Sequence, residues 1–127
     1  MEIKLDYKID MSVNSMYRTT RYGKFLTRAA LIKRAQIIMD VKKIINISND
    51  NELRNKNLSI GIIFKENWYC QNGEVKKADL DNRLKFLIDS VFKALDLEDK
   101  MIFEIYTKKE QSELEESVTI DLREYVE

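Results

Sequence analysis

The chain has 127 residues, a length that suits one domain. Basic and acidic side chains each number 22, so net charge is zero and names no partner. There is no histidine and one cysteine, Cys70. Those absences exclude Ser-His-Asp and Cys-His catalysis, an intrachain disulfide and a Cys/His zinc site.

Glu2 to Ile9 alternates, with Ile3, Leu5, Tyr7 and Ile9 on one face, and predicts a half-buried strand. Asp10 to Asn14 reads as loop. Ser15 to Phe25 is basic and aromatic and reads as an extended loop or hairpin around Gly23. Thr27 caps a predicted helix that runs to about Ile45. Leu31, Ala35, Ile38, Val41 and Ile45 form its apolar face, with Arg28, Lys33, Arg34, Lys42 and Lys43 largely elsewhere. Leu58 to Tyr69 reads as a strand and Gln71 to Glu74 as a turn. Asp79 caps a second helix, Leu80 to Leu95. Met101 to Thr107 and Ser117 to Leu122 complete the strands. The order predicts one α+β domain over residues 1–127: a small mixed β-sheet with two main helices packed on one face.

The zero net charge hides an asymmetry. Residues 1–46 hold 10 basic and 4 acidic side chains, net +6; residues 94–127 hold 4 and 11, net −7. A positive first third suits a polyanion, although such blocks are also common on solvated faces and can pair with each other in a fold. The longest apolar stretch, Leu58 to Phe64, falls far short of the roughly 20 residues that cross a bilayer. The N-terminus has no uninterrupted apolar signal region. The expectation is a cytoplasmic protein with neither membrane nor nucleotide cofactor as partner.

Chemistry concentrates between Lys76 and Lys100. On a helical wheel Leu84, Ile88, Val91 and Leu95 form the core stripe, widened by Leu87 and Phe92. Asp81 and Lys85 fall on its edge, and Asp89 lies one step further out. Side chains beside a core are well fixed, and charge there is costly unless paired or used. Asp79 stands two residues before Asp81. Asp99 arrives on the loop after the helix and can complete a three-carboxylate cluster. Oxygen-only ligands suit Mg²⁺ or Mn²⁺. Each residue also has an ordinary explanation: Asp79 as a cap, Asp81 at the positive helix end, Asp81–Lys85 and Lys85–Asp89 as i, i+4 pairs, and Glu98-Asp99 as an acidic loop.

Asp79-Leu80-Asp81-Asn82, then Lys85, Asp89 and Glu98-Asp99, resembles the signature of the RusA family of Holliday-junction resolvases. Ser12-Val13-Asn14 is similar to that family's Pro-Ser-x-Asn opening, with Met11 in the proline's place. Gly23-Lys24-Phe25-Leu26-Thr27 is similar to the stretch before its first long helix. The resemblance implies that Asp79, Asp81 and Asp99 are metal-binding carboxylates, Lys85 the essential lysine, and Asn82 and Asp89 supporting polar residues. It implies a homodimer that needs Mg²⁺ or Mn²⁺, cuts four-way DNA junctions by paired nicks, serves recombination and repair, and is often encoded by phages and prophages. Asn14, Arg18, Arg21, Lys24, Arg28, Lys76 and Lys77 are then candidates for DNA contacts, and Tyr17, Tyr22 and Phe25 for stacking on opened bases. Trp68, Tyr69 and Cys70 are candidates for the dimer contact or for the core. Two rival readings remain: a branched-DNA binder of the same fold that does not cut, and an unrelated α+β interaction protein.

Overall fold

A computed structural model of the chain describes residues 1–11, 16–48, 52–78 and 80–127. The fold is α+β, with a four-stranded mixed sheet, a two-stranded hairpin and two long helices. The strands are β1 (Glu2–Leu5), β2 (Tyr17–Thr20), β3 (Gly23–Leu26), β4 (Leu58–Glu66), β5 (Ile102–Gln111) and β6 (Ser117–Glu124). The helices are α1 (Arg28–Ser48) and α2 (Leu80–Leu95), and a 3₁₀ turn covers Asp99–Met101. Contacts divide the chain into two compact units. One comprises Met1–Ile9, Asn51–Leu80 and Lys100–Glu127; the other comprises Asp10–Asp50 and Asp81–Asp99.

The first unit is the sheet, in the order β1-β6-β4-β5. β4 runs antiparallel to β6 and parallel to β5. Apolar residues alternate along each inner strand, and the register aligns them across the sheet. Ile3 and Leu5 lie beside Ile120 and Val118, which lie beside Ile62 and Phe64. With Leu58, Ile60 and Leu122 they make one continuous buried apolar face. The other face carries Ser59, Glu104, Asp121 and Arg123. Gly61 lies there under the end of the Tyr106 ring on β5, which a Cβ at position 61 would push aside.

β5 and β6 follow each other in sequence but flank β4, so residues 112–116 pass over the end of β4. β4 holds that crossing in place. The Ser112 N–H donates to the Glu66 carbonyl at 3.0 Å, and Lys65 pairs with Glu115 at 2.8 Å. Beyond β4, buried Trp68 turns back across the strand ends. Its indole N–H donates to the Phe64 and Glu110 carbonyls, at 3.2 and 3.1 Å. Its backbone N–H donates to Gln111 Oε1 at 2.8 Å. Trp68 is therefore a core residue, whereas Tyr69 and Cys70 are exposed. Trp68 to Lys76 folds back as a small hairpin, with Tyr69 bridged to Val75 and a turn through Gly73.

Several boundaries differ from the sequence reading, each because of its partner. β1 ends at Leu5 rather than Ile9: Leu5 pairs with Val118, and only Ser117 of β6 remains beyond. β4 ends at Glu66 rather than Tyr69, where Gln111 ends its neighbour. Conversely, β4 keeps the charged Lys108-Lys109-Glu110 run of β5 in the ladder, although the polarity of that run reads as loop.

Trp68→Phe should cost about 1–3 kcal/mol in urea unfolding, through loss of a buried donor shared by two carbonyls. The Lys65–Glu115 pair should leave a pH signature. Lys65 lowers the Glu115 pKa by a hydrogen bond and by its charge, and Glu115 raises that of Lys65 in the same way. The stabilisation by Glu115 is therefore present above its unfolded value of about 4.3 and lost as pH falls through the lower folded value. Glu115→Gln should flatten the stability slope below about pH 4.3 without moving the neutral-pH transition appreciably.

Candidate functional site

The second compact unit carries two features of functional interest: a basic, aromatic hairpin and the polar strip of α2. The hairpin pairs β2 with β3, Tyr17 opposite Leu26 and Thr20 opposite Gly23. Arg21 and Tyr22 form the turn. Gly23 follows at φ +124°, a backbone conformation that side-chain-bearing residues rarely adopt. The Thr20 hydroxyl accepts the Tyr22 N–H at 3.2 Å and fastens the turn. At the tip the Arg21 guanidinium lies 4.8 Å from the Tyr22 ring centroid and donates to the Tyr22 hydroxyl at 2.6 Å. Tyr22 is 75% exposed, so this cation–aromatic pair stands in solvent. On the strands, Lys24 Nζ lies 5.4 Å from the Tyr17 ring centroid, and Arg18 sits opposite the exposed Phe25.

β3 runs directly into α1. The Thr27 hydroxyl accepts the Ala30 N–H at 3.2 Å, the N-cap that the sequence predicts. Arg28 follows at the first helical position, exposed, and the first turn has no acidic residue. A cation at the positive end of a helix opposes the helix dipole, so both attract an anion from outside. Arg18, Arg21, Lys24 and Arg28 are all exposed in this unit. Asn14 lies outside the described residues. Lys76 and Lys77 are exposed, but they belong to the sheet unit.

α1 corrects one expectation. Its buried residues are Ala30, Ile37 and Val41, whereas Leu31 and Ala35 are exposed. The buried stripe is rotated from the predicted one and includes position 34. The Arg34 guanidinium lies 5.7 Å from the Phe86 ring centroid of α2, and its Nε is buried without a hydrogen-bond partner. Sequence reasoning placed Arg34 on the polar side. Its spacing, four after Ala30 and three before Ile37, was the available signal.

α2 has the predicted bounds but a wider buried surface. Arg83, Phe86, Leu87, Ile88, Ser90, Val91, Phe92 and Leu95 are buried, and Leu84 is half-buried. That leaves one narrow polar strip, formed by Asp81, Asn82, Lys85, Asp89 and Lys93. Asp81 and Lys85 are exposed rather than held at the edge of the core. Asp89 is the more sheltered member, 27% exposed against 56% for Lys85, the reverse of the expected order. The buried arc is wider than the predicted stripe because Phe86 and Ser90 also face inward. Ser90 meets its burial with a hydroxyl bond to the Phe86 carbonyl at 2.8 Å. Lys85 pairs with Asp89 at 3.7 Å. Asp99 opens the 3₁₀ turn and is exposed.

Asp79, the first carboxylate of the motif, lies outside the described residues. Among the described residues no three acidic, histidine or cysteine side chains come together as a metal site. Asp81 and Asp99 are hard oxygen donors of the type Mg²⁺ and Mn²⁺ take. The open sheet face offers a hollow of about 400 Å³ lined by Glu104, Asp121 and Glu124 with Arg123. Three carboxylates against one guanidinium make it a poor seat for phosphate. Among the described residues no helix is long and apolar enough to cross a membrane. No protein-family model matches the chain, and no curated protein matches it in sequence.

Arg34→Met should leave stability unchanged or raise it, since it keeps the packing on Phe86 and removes a buried unpaired donor. Arg34→Ala should cost about 1–3 kcal/mol by loss of that packing. Urea midpoints of the two variants check both.

Proposed function

We propose that the chain is a metal-dependent, structure-selective endodeoxyribonuclease that cuts four-way DNA junctions by paired phosphodiester hydrolysis, acting as a cytoplasmic homodimer. The observation that carries the reading is co-location. One compact unit bears both the exposed basic–aromatic hairpin and the carboxylate-bearing strip of α2. The spacing of Asp79, Asp81, Asn82 and Lys85 resembles that of the RusA family of resolvases.

The division of labour follows from the chemistry. Arg18, Arg21, Lys24 and Arg28 bind phosphates and set the register of the duplex arms. Tyr22 and Phe25 offer exposed ring faces to bases that a branch point leaves unstacked. Asp81 and Asp99, with Asp79, would hold Mg²⁺ or Mn²⁺, which when bound activates water and neutralises charge on the phosphate. Lys85 supports a non-bridging or leaving oxygen. To reach it, Lys85 must leave Asp89, and an exposed i, i+4 pair costs only a few tenths of a kcal/mol to break. Asn82 is half-buried on the same strip and would support the carboxylates as a neutral polar neighbour. A C2 dimer matches the two equivalent strands of a four-way junction.

A second reading is a junction-binding protein that does not cut. The Lys85–Asp89 pair and the exposure of Asp81 favour it, since a helix needs no catalysis to carry such a strip.

A nicking assay separates the two. Protein is mixed with a synthetic four-way junction or a matched linear duplex, with Mg²⁺ or with EDTA. Paired, junction-selective nicks that need Mg²⁺ and vanish in Asp81→Asn, with junction binding retained, are expected. Binding without nicks under any metal supports the second reading, and neither binding nor nicks overturns both. The combined Arg18→Ala, Arg21→Ala, Lys24→Ala variant should weaken junction binding and reduce its logarithmic salt slope by about 2–3.

A further inference from the structure

β5 is an edge strand. Its ten residues pair with β4 on one side, and eight of them are exposed. Three are large and apolar: Phe103, Ile105 and Tyr106, at 57%, 48% and 54% exposure. A long edge with such residues is a ready template for another strand. Lysines on an edge ordinarily oppose pairing, and β5 carries Lys108 and Lys109. What decides is whether the charges of β5 suit a second β5.

We infer that β5 is the homodimer interface, pairing antiparallel with β5 of a second copy about a two-fold axis at Tyr106. The charge order selects this register. Faces are preserved only when paired residues share parity. With Tyr106 opposite itself, Glu104 meets Lys108 of the other copy, twice by symmetry, and Ile105 meets Thr107. A shift of two residues one way sets Glu104 against Glu110, a like-charge pair. The opposite shift leaves Lys108 against Ile102. A register centred on Lys109 pairs Lys108 with Glu110 but sets Lys109 against itself, so only the Tyr106-centred register pairs opposite charges directly without opposing like ones, and directly opposed charges are the strong cross-strand terms. The centre is also clear of its own ring, because Tyr106 leans inward over Gly61. Bulge residue Phe103 stacks on Tyr125 at 5.5 Å between centroids and rests at the end of the strand. The joined sheets would form one eight-stranded sheet with two copies of the junction-binding unit.

This interface is the partner contact of the reading above, but its tests involve no DNA, so failure of one is distinguishable from failure of the other. Sedimentation velocity across a micromolar range should show a dimer. Glu104→Lys and Lys108→Glu should each weaken it about tenfold or more, and the double charge swap should restore it to near wild type. In a Cys70→Ser background, which removes the exposed native thiol, Tyr106→Cys should form a disulfide-linked dimer on mild oxidation. The paired Cα atoms would stand about 4.5–5.5 Å apart, within disulfide reach. Circular dichroism checks that each variant folds. A monomer at all concentrations overturns the proposal. So does a dimer indifferent to both single charge reversals with no cross-link at position 106.

Discussion

The parallel pairing of β4 with β5 is the constraint on which the rest depends. Antiparallel neighbours can be joined by a tight turn, but a parallel pair obliges the chain to travel back to the starting end of the sheet. Residues 67–101 make that return, and they carry α2. Asp81 stands in the first turn of that helix, and Asp99 opens the 3₁₀ turn that precedes β5. Two stretches far apart in sequence are thus tied to the two ends of one connection. The same topology explains the Lys65, Glu66 and Trp68 contacts. β6 must pass over β4 to reach its place, and these side chains and carbonyls fix that passage.

The division of labour between the units follows. The sheet unit is apolar on one face and polar on the other, and of its two edge strands β5 exposes large apolar residues. The helical unit gathers exposed arginines, a lysine and aromatic rings on one short hairpin and places Asp81 and Asp89 on the one strip of α2 that burial leaves free. In the proposed reading, assembly and substrate recognition fall to different parts of the chain.

Much of this was legible in the sequence. The bounds of α2, the Thr27 cap, the Gln71–Glu74 turn and the mixed α+β class follow from local chemistry: capping residues, glycine, and periodicity of 3.6 or 2. Strand ends were less legible, because they depend on where the partner strand runs out, as at Leu5 and Glu66. The polar half of β5 carries no strand signal of its own, since an edge strand satisfies no local apolar pattern. The buried face of α1 is not legible because its apolar residues are spread nearly around the helix, so tertiary packing chooses the face and draws Arg34 into it. The motif was visible as spacing, but the sequence could not show that α2 is buried so widely that Asp81 and Lys85 stand in solvent.

Manganese titration observed in the amide NMR spectrum tests the central proposal, that Asp81 and Asp99 take a divalent cation, without DNA. Substoichiometric Mn²⁺ should broaden the amides of Leu80 to Asn82 and of Asp99 and Lys100 before any others, and Asp81→Asn should abolish that selectivity. Broadening that begins instead along the acidic 113–116 stretch, or spreads evenly over the acidic surface, would contradict the assignment.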